Sequence, residues 1–175
     1  MPLFNLTDFL ASLAPGARLM GLDPGARRIG VALSDVNRRM ASPYGTLARL
    51  RLKINAEEIK AIIAKERVGG LVIGLPLGMD GTFNPAAQAA RDWGHAVAAA
   101  TSLPTYMQDE SSSTADTHEM LIGQMDMGRI RRGAIIDKMA AANILQSALA
   151  AFEKAQKKAA ELPAASAEIQ EKTIP

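Results

Sequence analysis

Apolar and small or polar residues alternate early in the chain, then give way to helical spacing, and that change of period sets out the elements. Leu19, Met20 and Leu22 lead into a carboxylate, Asp23, and Pro24-Gly25 turns the chain. A second run follows, with Ile29, Val31 and Leu33 on one face and Gly30, Ala32 and Ser34 on the other. Period-two runs flanking a Pro-Gly pair predict a β-hairpin with Asp23 at the inner end of its first strand. Tyr44 to Leu52, carrying Leu47, Leu50 and Leu52, is expected to be a third strand. Asn55-Ala-Glu-Glu58 has the form of a capping box opening a helix. Ile59, Ile62 and Ile63 continue that helix, and Gly69-Gly70 is expected to stop it. Leu71 to Leu75 is almost wholly apolar, as a strand covered on both faces must be.

The second half follows the same logic. Pro76 to Asn84 is a loop, and Asn84-Pro85 suits an N-cap followed by a first helical proline. Ala86, Ala90, Trp93 and Val97 form the stripe of that helix. Pro104 to Glu110 is a short strand ending in two acids. Ser113 and Asp116 are placed to cap a helix reaching Ile122, and Gly123 to Gly133 is expected to be mobile. Ala134 to about Gln156 is a long helix. Near the N-terminus, Thr7 is expected to cap a brief helix over 8–13. The order predicts an α/β fold: a three-strand antiparallel meander, then parallel strands alternating with helices. Residues 1–17 are expected to form an extension with a short helix, 18–156 one domain, and 157–175 a flexible tail.

Composition narrows the setting. The 175 residues include no cysteine, so a disulfide framework and a thiolate metal site are excluded. No apolar run is long enough to span a bilayer, and Asp8 without an early Lys or Arg speaks against a signal peptide. A cytoplasmic protein that does not engage membranes is expected. The net charge is only +2, but the basic residues cluster. Arg18, Arg27, Arg28, Arg38, Arg39, Arg49, Arg51 and Lys53 face only Asp23 and Asp35 in the same stretch, and Arg129, Arg131, Arg132 and Lys138 form a second group. Such clusters suit a polyanion as well as an ordinary solvated surface.

Three separate stretches end in acids. Asp23 closes the first strand, Asp109 and Glu110 close the last, and Asp137 falls in the first turn of the long helix. The 3.6-residue period puts Asp137 on one face with Ala140, Ala141, Ile144, Ala148 and Ala151, so the stripe meant for the sheet begins with a carboxylate. Singly, each acid has a plain structural reading, a macrodipole partner or a polar strand end. Together they favour a carboxylate cluster, which needs a proton or a cation. Oxygen ligands without His or Cys suit Mg²⁺ or Mn²⁺, and two such ions promote phosphodiester hydrolysis. His95 and His118 receive no role, and Gly21, Gly25 and Gly30 are not a dinucleotide fingerprint because no helix follows them.

GLDPGARRIGVALSD (21–35), VIGLPLGMDGTFNPAAQ (72–88), DESSST (109–114) and IDKMAAANILQSAL (136–149) resemble, in order, the motifs of the YqgF (RuvX) family. These are Holliday-junction-resolvase-like proteins also regarded as candidate pre-16S rRNA nucleases. The resemblance implies an RNase H-like fold, a mixed five-stranded sheet between helices. It also implies metal-dependent phosphodiester cleavage with Asp23, Glu110 and Asp137 as the acidic triad and metal ligands. Strand alternation turns Glu110 with Gln108 and Asp109 the other way, making Asp109 the weaker candidate. Two positions depart from the family pattern: Ser111 stands where Arg is usual, and Asn84 where Gly is usual. Arg28, Arg129, Arg131 and Arg132 are the expected compensating phosphate contacts.

The implied activity is processing of the 5′ end of pre-16S rRNA in ribosome biogenesis. Its partners would be structured RNA and ribosomal particles, bound by a monomer or weak homodimer. A DNA junction resolvase acting on branched DNA and a weakly catalytic nucleic-acid-binding factor are the alternatives. A sugar-kinase-type phosphotransferase opens with a similar strand-Asp-Gly turn but needs two such domains, for which one chain of this length has no room.

Overall fold

Three consecutive strands, β1 (Arg18–Pro24), β2 (Arg28–Ser34) and β3 (Ala41–Ala48), form an antiparallel meander in the computed structural model, which describes residues 3–111 and 128–161. Strands β4 (Val68–Leu75) and β5 (Thr105–Asp109) join parallel to β1, giving the order β3-β2-β1-β4-β5. This is the mixed five-stranded sheet between helices that the family resemblance implied. The helices are α1 (Leu6–Ser12), α2 (Leu52–Glu66), α3 (Pro85–Thr101) and α4 (Arg129–Glu161). Among the described residues no helix is long and apolar enough to cross a membrane.

The period-two pattern divides the core between the two faces of the sheet. Met20, Leu22, Ile29, Val31, Leu33, Leu71 and Ile73 pack with Ile59 of α2 and with Trp93 and Val97 of α3. Leu19, Ala32 and Val72 face Ala141, Ile144, Leu145, Ala148 and Leu149 of α4. The N-terminal segment belongs to this second layer. Phe9 is fully buried, its ring 5.7 Å from Tyr106 and 5.5 Å from Phe152, and Phe4 bridges to Tyr106 along the β5 edge. The cap of α1 is Asn5, whose Oδ1 accepts from the Asp8 N–H at 2.9 Å, rather than Thr7.

Several boundaries differ from those expected, each for a tertiary reason. The third strand is Ala41–Ala48, so Leu50 lies beyond it and Leu52 starts α2. Asn55 is not a cap. It is buried inside α2, accepts from the Leu50 N–H at 2.9 Å, and donates to the Ala48 carbonyl and to Glu58, both at 2.8 Å. Its amide therefore stitches the end of β3 to the helix. Arg67, at φ 55°, ends α2, while Gly69 and Gly70 lie inside β4. In α3 the N-cap Asn84 and first-turn Pro85 are as expected, but Ala87 rather than Ala86 is buried. Helix α4 begins at Arg129, so of the stretch from Gly123 to Gly133 expected to be mobile, Arg129 to Gly133 forms its opening turns while 123–127 lie outside the described residues; the helix runs past Gln156 to Glu161. The helix expected from Ser113 to Ile122 lies outside the described residues, as does the tail beyond Glu161.

Candidate active site

Strands β1, β4 and β5 run parallel, so their C-terminal ends share one edge of the sheet. Asp23 stands there at the penultimate position of β1. The Glu110 N–H donates to the Leu75 carbonyl at 3.1 Å, which carries the β4–β5 ladder one step past the strand end. Its side chain then lies over Gly74, where any Cβ would collide with the carboxylate. The third acid arrives from above. Asp137 is in the third turn of α4, not the first, so the helix macrodipole does not account for it. Its backbone carbonyl rests on Gly30, the cross-strand partner of Asp23, with no room for a Cβ between them.

The electrostatics follow from this gathering. Burial raises the Asp23 pKa to about 6, and the charge of Asp137 adds to the shift. Burial raises the Glu110 pKa to about 7, with further contributions from Asp23 and then Asp109. The acids therefore meet pairwise around Asp23. Among the described residues no three acidic or imidazole side chains stand close enough to form a ready-made metal cluster. Asp109 is engaged elsewhere: its carboxylate accepts from the Ser111 N–H and hydroxyl, both at 2.8 Å. Ser111 thus closes a local turn on Asp109.

The expected phosphate contacts separate into two groups. Arg28 is committed, its Nε donating to Asp137 Oδ2 at 2.6 Å while its guanidinium packs where a Cβ on Gly133 would stand. An ion pair with a third and a quarter of its side chains exposed adds only about 1 kcal/mol, so its main effect is to aim Asp137. Arg129, Arg131 and Arg132 are exposed on the opening turns of α4. They lie roughly 8–12 Å up the helix from Asp137, at 1.5 Å per residue. A polyanion entering along α4 would meet them before the acids.

Arg49 is the residue sequence reasoning missed. It sits just past β3 and lines, with Asp23, Gly74 and Glu110, a cleft of about 380 Å³ that reaches the first turns of α3. Its Nη1 donates to the Gly25 carbonyl at 3.1 Å and its guanidinium lies 5.1 Å from the centre of the Trp93 ring. Burial lowers its pKa from the ordinary arginine value, but a guanidinium stays cationic. The ion pairs of the described residues do not include it. A cation stacked and braced beside two carboxylates, with most of its five donors left over, is suited to an incoming phosphate. No signal along the chain singles it out, because Arg49 is one of eight basic residues in its stretch and Trp93 lies far away in sequence.

A family model described as RuvX: Holliday junction resolvase matches residues 17–151. A candidate pre-16S rRNA nuclease of Gluconacetobacter diazotrophicus is 52% identical over 149 residues, 85% of this chain and 97% of the relative. One from Acidiphilium cryptum is also 52% identical over 149 residues, covering 85% and 94%. One from Rhodospirillum rubrum is 41% identical over 154 residues, covering 88% and 96%. Similar solved structures include T. thermophilus RuvC in complex with a Holliday junction substrate, at 16% identity and TM-score 0.46, covering 77% of this chain and 94% of that one. The yeast mitochondrial resolvase Ydc2 is another, at 9% identity and TM-score 0.48, covering 89% of each.

Proposed function

Because the chain belongs to the RuvX family of Holliday-junction-resolvase-like nucleases, we propose that it hydrolyses phosphodiester bonds at the Asp23–Glu110–Asp137 edge, acting on the 5′ region of pre-16S rRNA. The observation that carries this is geometric: two parallel strand ends and a helix laid across β2 bring Asp23, Glu110 and Asp137 to one edge of the sheet, and the electrostatics agree with it. Asp23 and Glu110 hold protons towards neutral pH because burial and neighbouring carboxylates disfavour their charges. A group of acids in that state is short of a cation, and the all-oxygen donor set fits a hard divalent ion, Mg²⁺ or Mn²⁺. Asp23 and Glu110 would hold it, joined by Asp137 when Arg28 releases it. Such an ion, when bound, polarises the phosphate and makes bound water more acidic.

The chain's own groups do the rest. Glu110 would release its proton to solvent on taking up a cation, and Gly74, having no Cβ, leaves room for its carboxylate. Arg28 keeps Asp137 aimed at Asp23 until then. Arg49 donates to the non-bridging oxygens of the phosphate in the cleft. The arginines at 129, 131 and 132 hold backbone further along the strand. Asp109 acts on Glu110 only through its charge. The protein would work in the cytoplasm on RNA or ribosomal particles, as a monomer or weak homodimer.

Cleavage of a labelled rRNA precursor in Mg²⁺ or Mn²⁺ by wild type and Asp137→Asn tests this. The variant is expected to lose at least about a hundredfold, roughly 3 kcal/mol of barrier stabilisation. Equal rates would remove the catalytic reading, and RNA binding that survives both EDTA and Asp23→Asn without any cleavage would indicate a binding factor. A four-way DNA junction in the same assay separates the resolvase alternative, for which symmetric cuts require a dimer. Arg49→Ala is expected to raise KM about tenfold, the worth of a charge-assisted hydrogen bond. Arg49→Lys should recover only part of this, since an ammonium keeps the charge but not the two-pronged grip. Unchanged KM in both variants would show that Arg49 does not touch the phosphate.

A further inference from the structure

Between β4 and α3 the loop from Pro76 to Asn84 projects from the rim of the acidic cleft, which Pro76 helps to line. The loop is braced internally. The Gly78 N–H donates to the Thr82 carbonyl at 2.9 Å, the Gly81 N–H to the Gly78 carbonyl at 2.8 Å, and the Thr82 hydroxyl to Asp80 at 2.6 Å. The Asn84 amide closes its base on the Pro76 carbonyl at 3.0 Å. This rigid frame presents an apolar side chain to solvent, for Met79 is fully exposed. Phe83 is half exposed, and the Arg91 guanidinium lies 5.7 Å from the centre of its ring.

We propose that Met79 and Phe83 form a base-stacking wedge that takes an unpaired nucleobase beside the scissile phosphate. The favoured substrate is then RNA in which single-stranded nucleotides abut a duplex. The inference rests on the nuclease reading and adds the substrate class to it. Two side chains cover far less than the roughly 800 Å² per partner of a stable protein interface. They are enough for one or two bases, whose faces stack on aromatic and thioether side chains without regard to sequence. Arg91 beside the ring adds a planar cation for the adjoining base or phosphate. The position matters as much as the chemistry. Pro76, at the base of the loop, lines the cleft together with Arg49, Asp23 and Glu110, so a strand held there by its phosphate would pass beside the loop.

The test is binding in EDTA, where no cleavage intervenes, of two fluorescent hairpins: one blunt, one with a four-nucleotide 5′ tail containing 2-aminopurine. Wild type is expected to prefer the tailed RNA on the order of tenfold and to change the 2-aminopurine emission. Met79→Ala with Phe83→Ala should bring the preference close to one and leave blunt-hairpin affinity within about twofold. Met79→Ala alone, whose exposed side chain cannot disturb the fold, should lower it at least threefold. A preference retained in both variants, a wild type with no preference, or an equal loss for both RNAs would overturn the wedge. A wild type that prefers the tail but cuts no RNA in Mg²⁺ would instead retire the nuclease reading and leave the wedge standing.

Discussion

Asp23→Asn is expected to abolish cleavage and, in metal-free protein at pH 8, to raise the melting temperature. The two effects have one cause. In the unfolded chain Asp23 and Glu110 lose their protons near pH 4, whereas in the fold they keep them to about pH 6 and about pH 7. Between those limits the folded state binds more protons than the unfolded one, so stability falls as pH rises. Below about pH 4 both states are protonated and the penalty is absent; above about pH 7 it is fully developed. The amide that replaces the Asp23 carboxylate carries no charge to desolvate and removes the repulsion that Asp23 exerts on Glu110. Allowing for solvent near the site, the gain is about 2 kcal/mol at pH 8. That is about 4–8 °C for a chain of this size. It should vanish by pH 4. Added Mg²⁺ or Mn²⁺ should stabilise wild type by mass action and leave Asp23→Asn nearly unmoved. Thermal melts of both proteins at pH 4, 6 and 8, with and without the ion, check every part. A variant less stable than wild type at pH 8 would mean that Asp23 is a structural partner rather than a strained acid.

How much of this site was legible beforehand depended on whether the signal was local. The β1–β2 hairpin was, because Ile29, Val31 and Leu33 alternate with small residues and each set meets a different layer. The apolar run of β4 was, since it pairs on both sides. The buried stripe of α4 was, and with it the orientation of Asp137, because helical period fixes which residues share a face. The start of α4 was not. Gly133 inside Arg-Ile-Arg-Arg-Gly looks like a breaker, and only the guanidinium of Arg28, arriving from a distant strand, explains why a residue without a Cβ stands there. Asn55 misled for a similar reason: an amide followed by a glutamate three residues on is bonded to that glutamate whether it caps a helix or, as here, lies inside one. The Arg49–Trp93 stack has no local signature at all.

Gly30→Ala should be the most damaging single change among the small residues of the sheet, although it adds only one methyl group. Its Cβ would run into the backbone carbonyl of Asp137, which cannot rotate aside as a side chain can. Helix α4 must then lift from β2, and Ala141, Ile144, Leu145 and Ala148 lose contact with Leu19, Ala32 and Val72. Overpacking of this kind costs about 1–3 kcal/mol, and the rigid obstacle places Gly30→Ala at the upper end. A fall of about 6–12 °C in melting temperature is expected. Activity should fall too, because the lift carries Asp137 away from Asp23. Gly74→Ala is the informative contrast. The groups its Cβ meets are the Glu110 carboxylate and the tip of Ile144, both side-chain ends that can swing away. Its stability cost should therefore be small, about 1 kcal/mol or less, while cleavage drops sharply because Glu110 no longer lies beside Asp23. Gly45→Ala, with nothing within 4 Å of the added carbon, is the control that should do neither. If Gly30→Ala and Gly74→Ala instead lost stability and activity in the same proportion, α4 and Glu110 would be moving as one unit, and the helix that carries Asp137 would not be separable from the strand end that carries Glu110.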